Sequence, residues 1–354
     1  MKKTASFEFV RIIVAILISL ILGFLLTLIL SKDPIHAYKY FLFGPLSKTR
    51  RIIEFINNSV PLIFTGLAVS IVFKAEQFNI GAEGQLFIGA VAGTAVAILF
   101  PHIQVLHLII VFIVAMLAGM AWAAVPGILK SKLNASELVS SLMMNYVAFY
   151  MGLYFVNYYL RDKNAGFLVS YKFPKSAWLP YLYRRYHLHY GIIIAIVFVI
   201  IVWYLLYRTK IGYEIRMIGY NLKFAEAGGI DVPKTIFSAQ VLSGAVAGIA
   251  GAIEVTGLYH RFLWQNLPGY GFDGIIVALL ARNNPLGVPF AALFLGYLRT
   301  GARIMERQSD MSAEMVTVLQ ALVILLVTAQ AFLATWKQKM IERASRKEEE
   351  EKNA

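Results

Sequence analysis

Nine polar side chains interrupt runs that are otherwise apolar: Asn79, Glu83, Gln85, Asn145, Gln240, Glu254, Asp273, Asn283 and Gln320. Carboxylates and carboxamides set among aliphatic residues can bind a polar solute, or they can hydrogen-bond one helix to the next. Covalent chemistry would need more. The chain has no GxxxxGK[ST] loop for nucleotide phosphates, no HExxH and no GxSxG. It has no cysteine, which excludes disulfides, thiol catalysis and cysteine-ligated metal. His187 and His189, in LHLHY, are the nearest approach to a metal pair, but two histidines beside a membrane surface read as interfacial. No metal, cofactor or catalytic residue is expected.

The polar residues are densest in FNIGAEGQLFIGA, Phe78 to Ala90, between two apolar runs. Hydrocarbon tolerates irregular polar backbone and an ionisable side chain only where protein or a water-filled path surrounds them. The stretch therefore reads as a transport-path element or a helix hinge. GYGFDGIIVALL, Gly269 to Leu280, echoes it: Gly81-Ala82-Glu83-Gly84 and Gly271-Phe272-Asp273-Gly274 share Gly-x-acid-Gly before an apolar helix. An acid in a first helical turn gains about 0.3–1 kcal/mol from the dipole. Placing it at the bilayer centre costs roughly 2.5–3.5 kcal/mol, so each acid needs a partner, water or an interfacial position. For Gln240 and Gln320, helix–helix hydrogen bonding suffices. Asn79, Glu83, Gln85, Asn145, Phe272, Asp273 and Asn283 are the translocation-path candidates. The run SGAVAGIAGAIEVTG (243–257) reads as a close-packing face. Tyr259, Phe262, Trp264 and Phe272 suit either stacking on a nucleobase or an aromatic belt.

These residues need long apolar helices to position them. The 354 residues are 59% hydrophobic and 15% charged, and apolar runs recur from end to end, each able to cross a core of roughly 30 Å. The fold class is an all-α polytopic membrane protein. Ten spans are predicted, at 12–30, 58–74, 84–100, 104–128, 136–160, 190–208, 236–258, 272–282, 286–303 and 314–336. The eighth is short enough to be a half-helix, or to continue into the ninth through a turn at Asn283-Asn284-Pro285. An even number places both termini on one side. The basic residues lean toward the cytoplasm, and Lys2, Lys3 and Arg11 precede a first span that no cleavage site follows. Spans 2–5 and 7–10, carrying the two related motifs in opposite directions, form a candidate inverted repeat.

The domain plan is a first span with an interfacial loop (1–57), a transmembrane bundle (58–336) and a charged tail (337–354). The net charge of +13 is scattered over loops and tails, which suits anionic lipid and not nucleic acid. Loop 161–189, long and aromatic, is either structural cover or a docking surface. Loop 208–235 carries helical character over Tyr213 to Gly219. A second short helix is capped by Asn221 and ended by Gly228-Gly229. Such an element suits a lever for a soluble partner.

Taken together, FNIGAEGQLFIGA, the loop with Gly212, Arg216, Gly219, Asn221, Ala225 and Gly229-Ile230, LMMNYVAFY, and LLARNNPLGVPFAALFLG resemble ATP-binding-cassette importer permeases. The group concerned takes up ribose, branched-chain amino acids and nucleosides. The chain is most similar to the larger of two permeases in bacterial nucleoside importers with a lipoprotein receptor. The likeness runs from about Pro61 to Thr335. It departs at Glu76-Gln77, where the family often has Gly-Leu. The resemblance implies two ATPase subunits below, a sister permease beside and a substrate-binding lipoprotein above, in a bacterial plasma membrane. It also implies alternating access, with Arg216, Gly219, Asn221, Ala225, Gly228, Gly229 and Ile230 coupling to the ATPase. The rivals are an ion-coupled secondary transporter and an importer for simple sugars or branched-chain amino acids.

Overall fold

A computed structural model describes residues 17–100 and 104–325. The start of the predicted first span, the last residues of the tenth and the tail 337–354 lie outside the described residues. The described chain is mainly helical. Six helices are long and apolar enough to cross a membrane: Thr49–Phe73, Ala82–Leu99, Leu106–Leu133, Glu137–Leu160, Gly191–Arg208 and Val232–Tyr259. Leu17–Leu30, Tyr270–Leu280 and Ala313–Leu325 are shorter apolar helices.

The chain forms two compact units. One comprises residues up to Arg51 together with those from Tyr297 onward. It holds α1 (Leu17–Leu30), α2 (Pro34–Phe43), the beginning of α3 (Thr49–Phe73), the C-terminal part of α12 (Val288–Gln308) and α13 (Ala313–Leu325). Loop 31–57, whose basic and aromatic residues read as an interfacial helix or a loop packed on the membrane surface, is helical over most of its length. Asp33 caps α2 by accepting from the His36 N–H, and Pro34 fits the first turn, where no donor is needed. α3 starts nine residues before the predicted 58 because Arg50, Arg51 and Glu54 are good helix formers that extend it before its apolar stretch begins. Asp310 ties the ends of this unit together, accepting from the Ser31 hydroxyl (2.6 Å) and the Lys32 N–H (2.7 Å).

The second unit, Ile52–Gly296, is built on α4 (Ala82–Leu99), α5 (Gln104–Leu133) and α10 (Val232–Glu254). The small-residue run of α10 lets three backbones approach. A Cβ on Gly248 would lie 2.4 Å from the Ala115 carbonyl of α5, and one on Gly89 of α4 would lie 2.2 Å from the Gly248 carbonyl. Both positions must be glycine, and close van der Waals contact replaces the hydrophobic drive that lipid cannot provide. α6 (Glu137–Phe155) continues into a wider π-type turn, Val156–Leu160, as α10 does at Val255–Tyr259.

The long loop after α6 packs on the chain that follows α10. Its backbone donates to the chain following α10: Ser170 to Phe262 O, Phe173 to His260 O and Leu179 to Thr256 O, at 2.9–3.1 Å. It also contains a small antiparallel pair, β1 (Tyr181–Tyr183) and β2 (Leu188–His189), which an all-helical expectation did not include. α7 (Gly191–Arg208), α8 (Lys210–Tyr220) and α9 (Leu222–Ala227) follow. α11 (Tyr270–Leu280) is separated from α12 by a turn with Arg282 and Asn283 in the left-handed region, so the eighth predicted span is a short helix of its own. α12 carries Arg299, Arg303, Glu306 and Arg307, which keeps it out of the six apolar spans.

Two outcomes follow for stability. Gly248→Val forces backbone apart at the α4–α5–α10 crossing and is expected to cost at least about 1–3 kcal/mol, read from thermal unfolding of the purified protein. His189 is fully buried, and its Nδ1 accepts from the Gly191 N–H at 3.1 Å. Burial, with His260 adding to it, pushes the His189 imidazole down to about 4. A histidine held neutral in the fold stabilises fully above its ordinary value near 6.5 and loses that contribution as pH falls toward 4. Limited proteolysis of loop 161–190 should therefore accelerate across that interval.

Candidate functional site

The two glycine–acid motifs meet in space, and one acid joins them. Glu83 lies in the first turn of α4 and is wholly buried. Its Oε1 accepts from the Gly269 N–H at 2.6 Å, and its Oε2 accepts from the Gly271 N–H at 2.5 Å. Gly269 is the N-cap of α11, in a left-handed conformation (φ 80°) that glycine adopts without penalty. One carboxylate thus occupies the positive ends of two helices, its own and α11, with both oxygens used as acceptors, as an ionised carboxylate requires. Hydrogen bonds to a charged group contribute roughly 1.5–3 kcal/mol each, so two of them meet the burial cost that the dipole alone could not. Gly271 sits against this turn: a Cβ there would lie 2.2 Å from the Glu83 nitrogen.

The other polar residues of the first motif are tied down beside it. Asn79 Nδ2 donates to Ser243 Oγ of α10 at 2.8 Å, and Asn79 and Gln85 exchange amide hydrogen bonds at 3.2 and 3.3 Å. From α6, Asn145 Oδ1 accepts from the Gly84 N–H at 2.8 Å and Nδ2 donates to the Ile80 carbonyl at 3.0 Å. Gln240 Nε2 donates to the Phe78 carbonyl at 3.3 Å, tying α10 to the non-helical stretch before α4 rather than to another helix. The Tyr270 hydroxyl donates to Glu254 at 3.0 Å, joining α11 to α10. Three helices, α4, α6 and α10, are thereby pinned to one non-helical stretch, 74–81, and α11 joins them through Glu83 and Glu254.

The path candidates fall into two groups. Asn79, Glu83, Gln85 and Asn145 come together in this network and are closed to solvent within the chain. Phe272 and Asp273 lie on α11 just beyond the shared carboxylate and are partly exposed, while Asn283 lies at the opposite end of α11. The two acids are therefore not equivalent: Glu83 is wholly buried, whereas Asp273 keeps part of its side chain exposed. Phe262 and Trp264 pack around Phe87 at ring separations of 5.4 and 6.1 Å and are buried, so neither is open to stack on a solute within this chain.

The loop between α7 and α10 folds as its capping residues dictate. Asn221 Oδ1 accepts from the Phe224 N–H, Gly229 is left-handed, and the Ile230 N–H closes on the Ala225 carbonyl. Arg216 donates to the Leu206 carbonyl at 2.9 Å and lies over the Tyr207 ring. Tyr220 and Phe224 are exposed and Ala225 is buried. Gly219 makes the longer-range link: its Cβ would stand 2.0 Å from the carbonyl of Lys74. Lys74 opens the 74–81 stretch, and burial holds its ammonium below the usual lysine range, with Tyr220 opposing that shift and Arg216 adding to it. Sequence reading missed Ser243, concealed in a small-residue run, and Lys74, whose part is played by its carbonyl and leaves no trace in residue type.

The described residues thus form a helical membrane bundle whose buried polar residues organise helix starts. Residues 51–328 match the family described as branched-chain amino acid transport system / permease component, and the chain belongs to it. It is 34% identical to the guanosine ABC transporter permease NupP of Bacillus subtilis, covering 90% of this chain and 92% of that one. It is 33% identical to the glucose ABC transporter permease TsgB13 of Haloferax volcanii (90% and 87% covered). It is 30% identical to the nucleoside ABC transporter permease NupB of Lactococcus lactis (90% of each). No solved structure matches significantly. The protein is thus an ABC transporter permease subunit, not an enzyme.

Glu83→Gln keeps the shape but replaces one acceptor with a donor facing a donor. It should cost about 1.5–3 kcal/mol or more, since a charged acceptor is lost and a buried N–H is left unmade. The loss should appear as a lower unfolding temperature of the assembled transporter.

Proposed function

We propose that this chain is one permease half of an ATP-driven importer that carries nucleosides across a bacterial plasma membrane by alternating access. Its companions in this reading are two ATPase subunits, a sister permease of different sequence and a substrate-binding lipoprotein. Two of the named relatives are nucleoside permeases, which supports the cargo.

The observation that carries the mechanism is Gly219 seated on the Lys74 carbonyl. The loop that carries Arg216, Gly219, Asn221, Ala225, Gly228, Gly229 and Ile230 is then the ATPase-coupling element. A push on α8 and α9 reaches residue 74 directly, and from there the stretch holding Asn79, Gln85 and Glu83. In this reading Asn79, Glu83, Gln85 and Asn145 are the hinge of the path, and Phe272, Asp273 and Asn283 are on its wall. Rocking α4 and α11 about their shared carboxylate opens one side and closes the other.

The same reading takes the chain as ten spans with both termini cytoplasmic, the domain limits being 1–57, 58–336 and 337–354. Spans 2–5 and 7–10 are its inverted halves. Support for the repeat comes from two Gly-x-acid-Gly motifs that each open a helix, α4 and α11, whose N-termini meet. A monosaccharide is the second reading of the cargo, favoured by the glucose-permease relative.

The test is uptake of labelled guanosine and labelled glucose by the reconstituted transporter. Guanosine uptake requiring ATP is expected. Gly219→Leu, which collides with the Lys74 carbonyl, should lower it at least tenfold while the ATPases still hydrolyse ATP. Uptake by the purified chain alone under an ion gradient would instead identify a secondary transporter.

A further inference from the structure

The face that α6 leaves uncovered differs from every other uncovered face of the second unit's long helices. Tyr146, Tyr150, Tyr154 and Tyr158 recur at intervals of four, so they share one side of α6 and the π-type turn that extends it. They are 51, 68, 56 and 73% exposed, with Met143 and Met151 open beside them. α5, by contrast, exposes Ile109, Ile113 and Leu117, and α7 exposes Ile193, Ile196 and Ile200. The exposed tyrosine of α7, Tyr204, lies in its last turns, where an interfacial belt would place it.

Position along the helix separates the two kinds of face. The apolar stretch Glu137–Leu160 is 24 residues long. At about 1.5 Å per residue, Tyr150 lies roughly 20 Å from its start, near the middle of the bilayer and far from either headgroup layer. None of the four hydroxyls makes a hydrogen bond within the described residues. A phenol facing acyl chains at that depth would leave its hydroxyl unsatisfied, a cost that the aliphatic faces of α5 and α7 avoid. Water along this face would satisfy the hydroxyls. The rings then form successive steps about 6 Å apart along the helix, and Tyr154 and Tyr158 already lie 4.5 Å apart, tilted by 34°.

We infer that this tyrosine ladder is the substrate-contacting wall of the translocation path, selecting solutes that carry a flat aromatic ring. A nucleobase can pass from ring to ring by stacking, which depends little on which base it is, while its sugar hydroxyls bond to the phenols. The cargo class rests on the nucleoside reading above; the exposure of the face to water does not.

The test uses the complete transporter and exploits the absence of cysteine from this chain. Y150C and, as the lipid-facing control, I200C are treated with a membrane-impermeant maleimide, and labelling is read on this subunit. Y150C is expected to label, at least fivefold more slowly when guanosine is saturating, and I200C is expected to stay unlabelled. In uptake assays Y150L should transport guanosine at least tenfold more slowly than wild type at normal membrane abundance, and Y150F, which keeps the ring but loses the phenol that a sugar hydroxyl would bond, should fall between the two. The inference is overturned if Y150C is as inert as I200C, if guanosine fails to protect it, or if Y150L transports normally. A Y150F variant as impaired as Y150L overturns ring stacking. A wild-type transporter that moves no nucleoside overturns the cargo reading instead, and maleimide access at Y150C then decides alone whether this face lines the path.

Discussion

A single carboxylate sits where two helices begin. Glu83 belongs to the first turn of α4 and closes the first turn of α11 through the N–H groups of Gly269 and Gly271. Helix starts leave donors without intrahelical partners, and in a membrane no water is at hand to take them. A buried acid has the complementary problem. Bringing the two together solves both at once, and it accounts for the glycines around it. Gly269 takes a left-handed conformation, and Gly271 must admit the α4 backbone. The dependence extends outward, because Asn145, Gln85, Asn79 and Ser243 hold the approach to α4 in the one position that aims Glu83 at its target.

That arrangement also suits movement. Helices pinned at their starts and packed elsewhere through glycine and alanine can tilt as rigid bodies, with little side-chain interlocking to undo. The network converges on residues 74–81, whose first carbonyl supports Gly219 of α8. An input at the exposed α8–α9 loop has a short mechanical route to the point from which α4 and α11 diverge.

The uncovered faces of the bundle fall into two chemical kinds. Aliphatic residues on α5 and α7 suit acyl chains, and phenols on α6 do not. On the reading of α6 proposed above, the chain borders lipid on one side and an aqueous path on another.

Much of this was legible in the residues alone. Long apolar runs specify membrane helices because hydrocarbon leaves the backbone no alternative, and Asn221, Gly228 and Gly229 mark a short capped helix through local bonding. The repeated Gly-x-acid-Gly pattern singled out Glu83 and Asp273, whereas the α6 tyrosines spaced by four stood out only once the fold showed them uncovered. Tertiary structure decided the rest. The two motifs resemble each other in sequence, yet only the fold shows that Glu83 reaches across to the other copy while Asp273 stays partly exposed. The donors that Glu83 meets are backbone N–H groups, and Gly219 rests on a backbone carbonyl. Every residue type carries a backbone carbonyl and every one but proline an N–H, so composition and spacing hold no record of which ones are used. The aromatic supply divided for a similar reason: Phe262 and Trp264 went inside against Phe87 and the α6 tyrosines stayed out. Side-chain chemistry restricts where a residue can go, and long-range packing chooses among those places.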